Sequence, residues 1–166
     1  IGILLIINIA FLQLLDKSFW EQYNYKVKEL KTMKVKIKKL CPDAVIPSYQ
    51  TKSAAGADLY ALSDSDIIIK KGQTVLVKTG IAMQIPEGYV GLIFARSGLA
   101  TKMGLAPANK VGVIDSDYRG EIMVALHNHS GEPQKIDAKE RIAQIVITPY
   151  LTVNYIEAEE LDDTQR

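Results

Sequence analysis

From Met33 onward the chain is a series of short β-rich stretches separated by turn residues, and no other feature narrows its fold as much. "VKIKKL" (35–40) alternates apolar and basic side chains, as an edge or half-buried strand does. "DIIIKKGQTVLVKTGIAMQIPEGYVGLIFARS" (66–97) holds several Ile- and Val-rich runs cut at Gly72, Gly80, Pro86 and Gly88. "KVGVIDSDYRGEIMVAL" (110–126) reads as strand, polar loop, strand, which predicts a hairpin. "QKIDAKERIAQIVITPY" (134–150) closes the series with another strand pair. One short helical turn is expected at "SGLATKMG" (97–104), with Ser97 as N-cap and Gly104 as its stop. Such a pattern implies an all-β domain: a sandwich, jelly roll or barrel.

The first 32 residues follow a different rule. "IGILLIINIAFLQLL" (1–15) is apolar and gives way to the polar "DKSFWEQYNYKVKEL". A helix over the apolar part, rising about 1.5 Å per residue, falls short of a roughly 30 Å hydrocarbon core. Asn8 and Gln13 interrupt it and no basic region precedes it, so membrane contact through residues 1–15 is disfavoured. Leu12, Leu15, Phe19, Tyr23, Val27 and Leu30 recur at helical spacing, which also suits an oligomerisation helix. Met33 opens "MKVKIKKL" as a native N-terminus would, and residues 1–32 are read as a helical or non-native extension. The β domain is then expected over 33–157, followed by an acidic, mobile tail over 158–166.

At 166 residues the chain has room for one domain and an appendage, and 48% hydrophobic with 23% charged residues suffices for a core. The formal charge of +1 supplies no overall field for nucleic acid, and the lysines at 26–39 read as a solvated face. Cys41 is the only cysteine, so no internal disulfide can form; a reducing, cytoplasmic compartment is expected.

Four stretches carry polar groups that a strand does not need. In "AAGADLYA" (54–61), Asp58 stands among small and apolar residues, where a lone buried carboxylate is costly. Taken alone it is a turn cap. In "GLIFARSGLA" (91–100) a strand runs into a helical turn at Arg96-Ser97-Gly98. A guanidinium fork, a hydroxyl and an unobstructed backbone suit phosphate oxygens, although a plain cap with a surface arginine has the same sequence. "GVIDSDYRGE" (112–121) offers Asp115 as a general base and Tyr118 as a flat surface for a sugar or ring. The plain alternative is an Asx-turn in which Asp115 and Asp117 bond only to the turn backbone, a job for which two aspartates are generous. In "KERIAQIVI" (139–147), Gln144 interrupts an apolar run and needs a partner.

In their order and spacing, "AGADLYA", "RSGLA", "NKVGVIDSDYRGE" and "ERIAQIVI" closely resemble four sequence motifs of the trimeric dUTP diphosphatases, the dUTPases. The resemblance implies a distorted β jelly roll, or β-clip, assembled as a homotrimer with sites between subunits. It implies Mg²⁺-dependent hydrolysis of dUTP to dUMP and pyrophosphate, which keeps uracil out of DNA. Under it, Asp115 activates the attacking water, and Arg96, Ser97, Gly98 and Gln144 bind phosphate. Asp58 and Gln144 reach the metal through water. Asn109 reads the uracil edge with backbone groups near Ile114 and Met123, and Tyr118 lies against the deoxyribose. Arg141 takes a structural or phosphate-steering role.

The family's glycine-rich arm has no counterpart before the chain stops at "DDTQR", where Arg166 matches the arm's first arginine. The expectation for a chain without that lid is dUTP binding with slow turnover. Two other readings compete. A dCTP deaminase shares the phosphate turn, but needs a catalytic Glu where "EIMVALHN" has Ala125. A non-catalytic nucleotide-binding trimer has no use for Asp115. His127 and His129 share a strand face, yet two histidines without a third ligand make a poor zinc site.

Overall fold

A computed structural model describes residues 33–165. The readings placed on residues 1–32 and on Arg166 lie outside the described residues. Among the described residues are eleven strands and one helix: β1 (Lys36–Lys39), β2 (Ala57–Tyr60), β3 (Ile67–Ile69), β4 (Thr74–Lys78), β5 (Ile81–Gln84), β6 (Tyr89–Phe94), α1 (Ser97–Met103), β7 (Leu105–Pro107), β8 (Gly112–Ile114), β9 (Met123–Asn128), β10 (Gln134–Ile136) and β11 (Arg141–Pro149). Every pairing is antiparallel. The largest sheet has the order β2-β11-β6-β8, a second β4-β9-β7, and β1-β5 and β10-β3 form two-stranded ribbons. None of the sheets closes on itself, which is the jelly-roll-like all-β architecture expected.

The core is aliphatic. Leu59, Ile69, Val77, Ile81, Leu105, Ile122, Leu126, Ile136 and Ile142 are buried almost completely, and all but Ile122 come from strands, with every sheet contributing. In β9 the pattern alternates, with Val124, Leu126 and Asn128 turned inward, as one buried face requires. The polar Asn128 is accepted there because it is satisfied: its amide donates to the carbonyls of Ile69 and Glu132, and its oxygen accepts from the backbone and hydroxyl of Ser130.

Two local expectations change. Residues 110–126 are not a hairpin. β8 pairs with β6, whereas β9 pairs with β4 and β7 in a different sheet. The polar loop between them crosses from sheet to sheet, and Ile122 ends the crossing by donating its N–H to Ile81 O at 2.8 Å. β10 and β11 part in the same way, to β3 and to β2 and β6. Ser97 is the first helical residue rather than the cap; Arg96 holds the cap position in extended conformation, with no side-chain capping bond. The expected stop holds: Gly104 adopts the left-handed conformation (φ 64°, ψ 20°) and its N–H bonds to Leu99 O.

Beyond Pro149 the described chain has no regular secondary structure, and Leu151, Val153, Tyr155, Ile156 and Leu161 are exposed. Among the described residues no helix is long and apolar enough to cross a membrane.

Candidate active site

The ends of β2, β6 and β11 bring three of the four polar stretches together. Asp58 on β2 lies opposite Gln144 on β11, which lies opposite Phe94 at the end of β6. From there the chain enters Arg96-Ser97-Gly98 and α1. These residues, with Gln50, Ala54 and Gly56, line one open cleft of about 200 Å³. It holds Asp58, Arg96, Ser97, Gly98 and Gln144 of the anticipated set.

Asp58 is 6% exposed and is paired on both oxygens. Arg96 Nε donates to Oδ1 at 2.9 Å, and an Arg141 guanidinium nitrogen donates to Oδ2 at 3.3 Å. Arg96 also donates to the carbonyl of Arg141 at 2.8 Å. A carboxylate bound by two guanidinium groups is no longer the isolated charge that burial would penalise. It also fixes the fork of Arg96 beside the turn. Gln144, the odd amide of its strand, donates to Ala95 O at 2.9 Å and so ties β11 to the chain entering the Arg96-Ser97-Gly98 turn. Gly56 makes this packing available: a Cβ there would lie 2.4 Å from Gln144 Oε1. Gln50, which donates weakly toward Ser48 and Tyr60 at 3.4 Å, belongs to this cleft and was not anticipated; a lone Gln in a loop gives no periodic or spacing signal.

The fourth stretch stands elsewhere. Asp115 follows β8 and lines a larger depression of about 650 Å³ with Gln84, Ile85, Pro86, Glu87, Ser116, Asp117, Arg119 and Tyr150. Tyr118, 40% exposed, donates its N–H to Asp115 O and its hydroxyl to Glu121 O at 3.0 Å. Glu121 in turn accepts the N–H of Gly80 at 2.8 Å, an anchoring role that the "RGE" string gave no sign of. Arg119 donates to the carbonyls of Ser116 and Tyr118, which braces the loop. Asn109 sits in the turn after β7, with Nδ2 about 3.5 Å from the position a Gly112 Cβ would take. Ile114 packs on the core and Met123 opens β9, partly exposed. Neither Asn109, Ile114, Tyr118 nor Met123 lines the cleft of Asp58 and Arg96.

The register gives the separation of the two groups. Ile114 faces Gly91, so Asp115 falls level with Val90, four residues along β6 from Phe94, and three strand spacings separate β8 from β2. With about 3.4 Å per residue and 4.8 Å per strand, Asp115 and Asp58 are on the order of 20 Å apart. One phosphorus cannot lie within a hydrogen bond, or one water, of both.

No group of three or more His, Cys, Asp or Glu is placed to hold a metal ion among the described residues. Asp58 and Gln144 are oxygen donors of the kind Mg²⁺ takes, but with both carboxylate oxygens engaged by arginine they suit contact through water.

A sequence model of the dUTPase family matches residues 43–166, about three quarters of the chain. The deoxyuridine 5'-triphosphate nucleotidohydrolase of Nautilia profundicola is 54% identical over 134 residues, which cover 81% of this chain and 93% of that protein. That of a Hydrogenobaculum species is 50% identical over 134 residues, covering 81% and 92%. Among solved structures, the dUTPase of Staphylococcus bacteriophage 80alpha with bound dUpNHpp superposes with a TM-score of 0.70 at 28% identity, covering 80% of this chain and 92% of that one. A mutant dUTPase of phage phi11 of S. aureus, described with a structural Mg(II) ion, gives 0.68 at 25% identity, covering 77% and 98%. Fold, motif order and sequence identity over nearly the full length of these relatives therefore agree: this chain is a member of the dUTPase family.

Proposed function

We propose that the chain hydrolyses dUTP to dUMP and pyrophosphate at sites completed by a second copy of itself, within a homotrimer. The observation that carries this reading is the roughly 20 Å between Asp115 and Asp58, the carboxylate that holds Arg96 of the arginine-serine turn, two halves of one chemistry that a single chain holds apart. The exposed apolar residues at 151–161 add surface that a neighbouring copy would cover.

In one half, Arg96, Ser97 and Gly98 bind the phosphates, with Gln144 beside them. Asp58 and Arg141 hold the Arg96 fork in place. In the other half, contributed by a second copy, Asp115 takes a proton from a water aimed at the α-phosphorus. Asn109 reads the uracil edge through its side chain, with backbone groups near Ile114 and Met123 completing the pattern. A base with the wrong edge leaves those polar groups unpaired, which rejects cytosine. Tyr118, tethered through Glu121, stands where a ribose 2′-hydroxyl would project. Asp58 and Gln144 would hold a Mg²⁺ ion through water, and that ion would supply charge neutralisation that makes pyrophosphate a better leaving group. Product dUMP then feeds thymidylate synthesis and uracil is kept from DNA; the lone Cys41 fits a reducing cytoplasm.

Asp115→Asn tests this directly. Pyrophosphate release is expected to fall by about 10²–10⁴-fold while binding of a non-hydrolysable dUTP analogue stays close to wild type. Unchanged turnover would refute the assignment.

A further inference from the structure

Apart from both clefts, β9 ends in a feature that the proposed reaction does not use. His127 and His129 are two residues apart, which puts them on one face of the chain, and their rings stand 4.4 Å centroid to centroid at 59°. Two imidazoles on one tetrahedral Zn²⁺, with Zn–N of about 2.0–2.1 Å, bring their centroids to roughly 5 Å. The observed spacing is close to that of a chelated pair, and side-chain rotation would aim one nitrogen of each ring at a shared ion. Thr74, the register partner of His127, supplies the second element: its hydroxyl lies 2.9 Å from His127 Nδ1. When Nδ1–H donates to that hydroxyl, Nε2 keeps its lone pair, and metal-binding histidines characteristically anchor their other nitrogen in this way. His127 is half-buried and His129 exposed, so a hydrated cation can reach both rings in this chain.

We propose that His127 and His129 chelate a late first-row divalent cation, Zn²⁺ or Cu²⁺. Imidazole selects these ions, and Mg²⁺ prefers oxygen and retains its water, so the site is chemically separate from the metal carried on the nucleotide. With no cluster of three ligands among the described residues, water fills the remaining positions. The site is then open and exchangeable, not a closed structural zinc centre. Lys110, within electrostatic reach of His129, opposes the cation and limits its affinity.

The test is calorimetric titration of the full chain, stripped with chelator, with ZnCl₂ in excess MgCl₂. One Zn²⁺ per chain is expected, indifferent to Mg²⁺. His127→Gln and His129→Gln each abolish the saturable site, Thr74→Val weakens it about tenfold, and Lys110→Gln tightens it. Absence of a saturable site, or an affinity unchanged in both histidine variants, overturns the proposal. Should those variants fail to fold, imidazole ¹⁵N spectra of the wild type decide: both rings shift with the first equivalent of Zn²⁺, and a ring that stays unmoved overturns the assignment.

Discussion

Asp58 shows how one buried residue sets the chemistry of its neighbours. Its two oxygens hold arginines that lie 38 and 83 positions away in the chain, and one of them also bonds the other's backbone. The arrangement leaves Arg96 pre-oriented, which would lower the entropy lost on phosphate binding in the role proposed for it. Gly56 protects the same geometry from the other side. Gly56→Ala drives a methyl into the Gln144 amide, and the far end of that side chain must swing out of the cleft. Unfolding free energy should fall by no more than about 1–3 kcal/mol. Affinity for a dUTP analogue should fall in the same variant, and equilibrium titration beside urea unfolding separates the two effects.

At the scale of elements, the crossing from β8 to β9 matters more than either strand. It carries Asp115 and Tyr118 while anchoring Glu121 and Ile122 to Gly80 and Ile81. Asn128 does comparable work at the far end of β9, joining β3 to the loop before β10. Asn128→Ala removes the amide donor from the carbonyl of fully buried Ile69, whereas Glu132 O keeps the Ser130 hydroxyl, so a loss of about 1–3 kcal/mol is expected in urea unfolding. β10 carries a surface device as well. Lys135 lies 2.6 Å from Asp137 and 3.1 Å from Asp66. Hydrogen bonds that Lys135 donates to Asp137 and then to Asp66 raise its ammonium above the ordinary range, and the bond from Lys135 holds the Asp137 carboxyl below its own. A raised lysine adds stability that is complete below about pH 10 and lost as pH climbs through its folded value. A lowered aspartate adds stability that is complete above about pH 4 and lost as pH drops through its folded value. The stability difference between wild type and Lys135→Gln should thus be small, flat between those limits, and shrink beyond either one.

For the whole molecule, the decisive matter is whether one chain's turn serves another chain's Asp115. Arg96→Ala and Asp115→Asn damage different halves. Each variant alone should be inactive. Equal amounts unfolded and refolded together should regain about a quarter of wild-type activity, since random assembly reunites intact halves at that share of sites. No recovery from the mixture, with trimers confirmed by sedimentation, would show that each chain builds its site alone.

The sequence by itself determined the kind of fold and the local chemistry. Period-two runs and Gly or Pro breaks mark the strands, and Asp115, Arg96 and Gln144 announce themselves as polar groups that a strand has no use for. These signals are local, because side-chain alternation and turn preference depend on near neighbours. Partner choice is not local. A strand's unpaired N–H and C=O groups accept any compatible edge, so residues 110–126 read as a hairpin although their two strands join different sheets. Only the tertiary structure decided that, and with it the pairing of Asp58 to two distant arginines and its separation from Asp115. The helix cap was settled in the same way: whether Ser97 or Arg96 caps α1 depends on where the sheet lets go of the chain, not on which residue caps best.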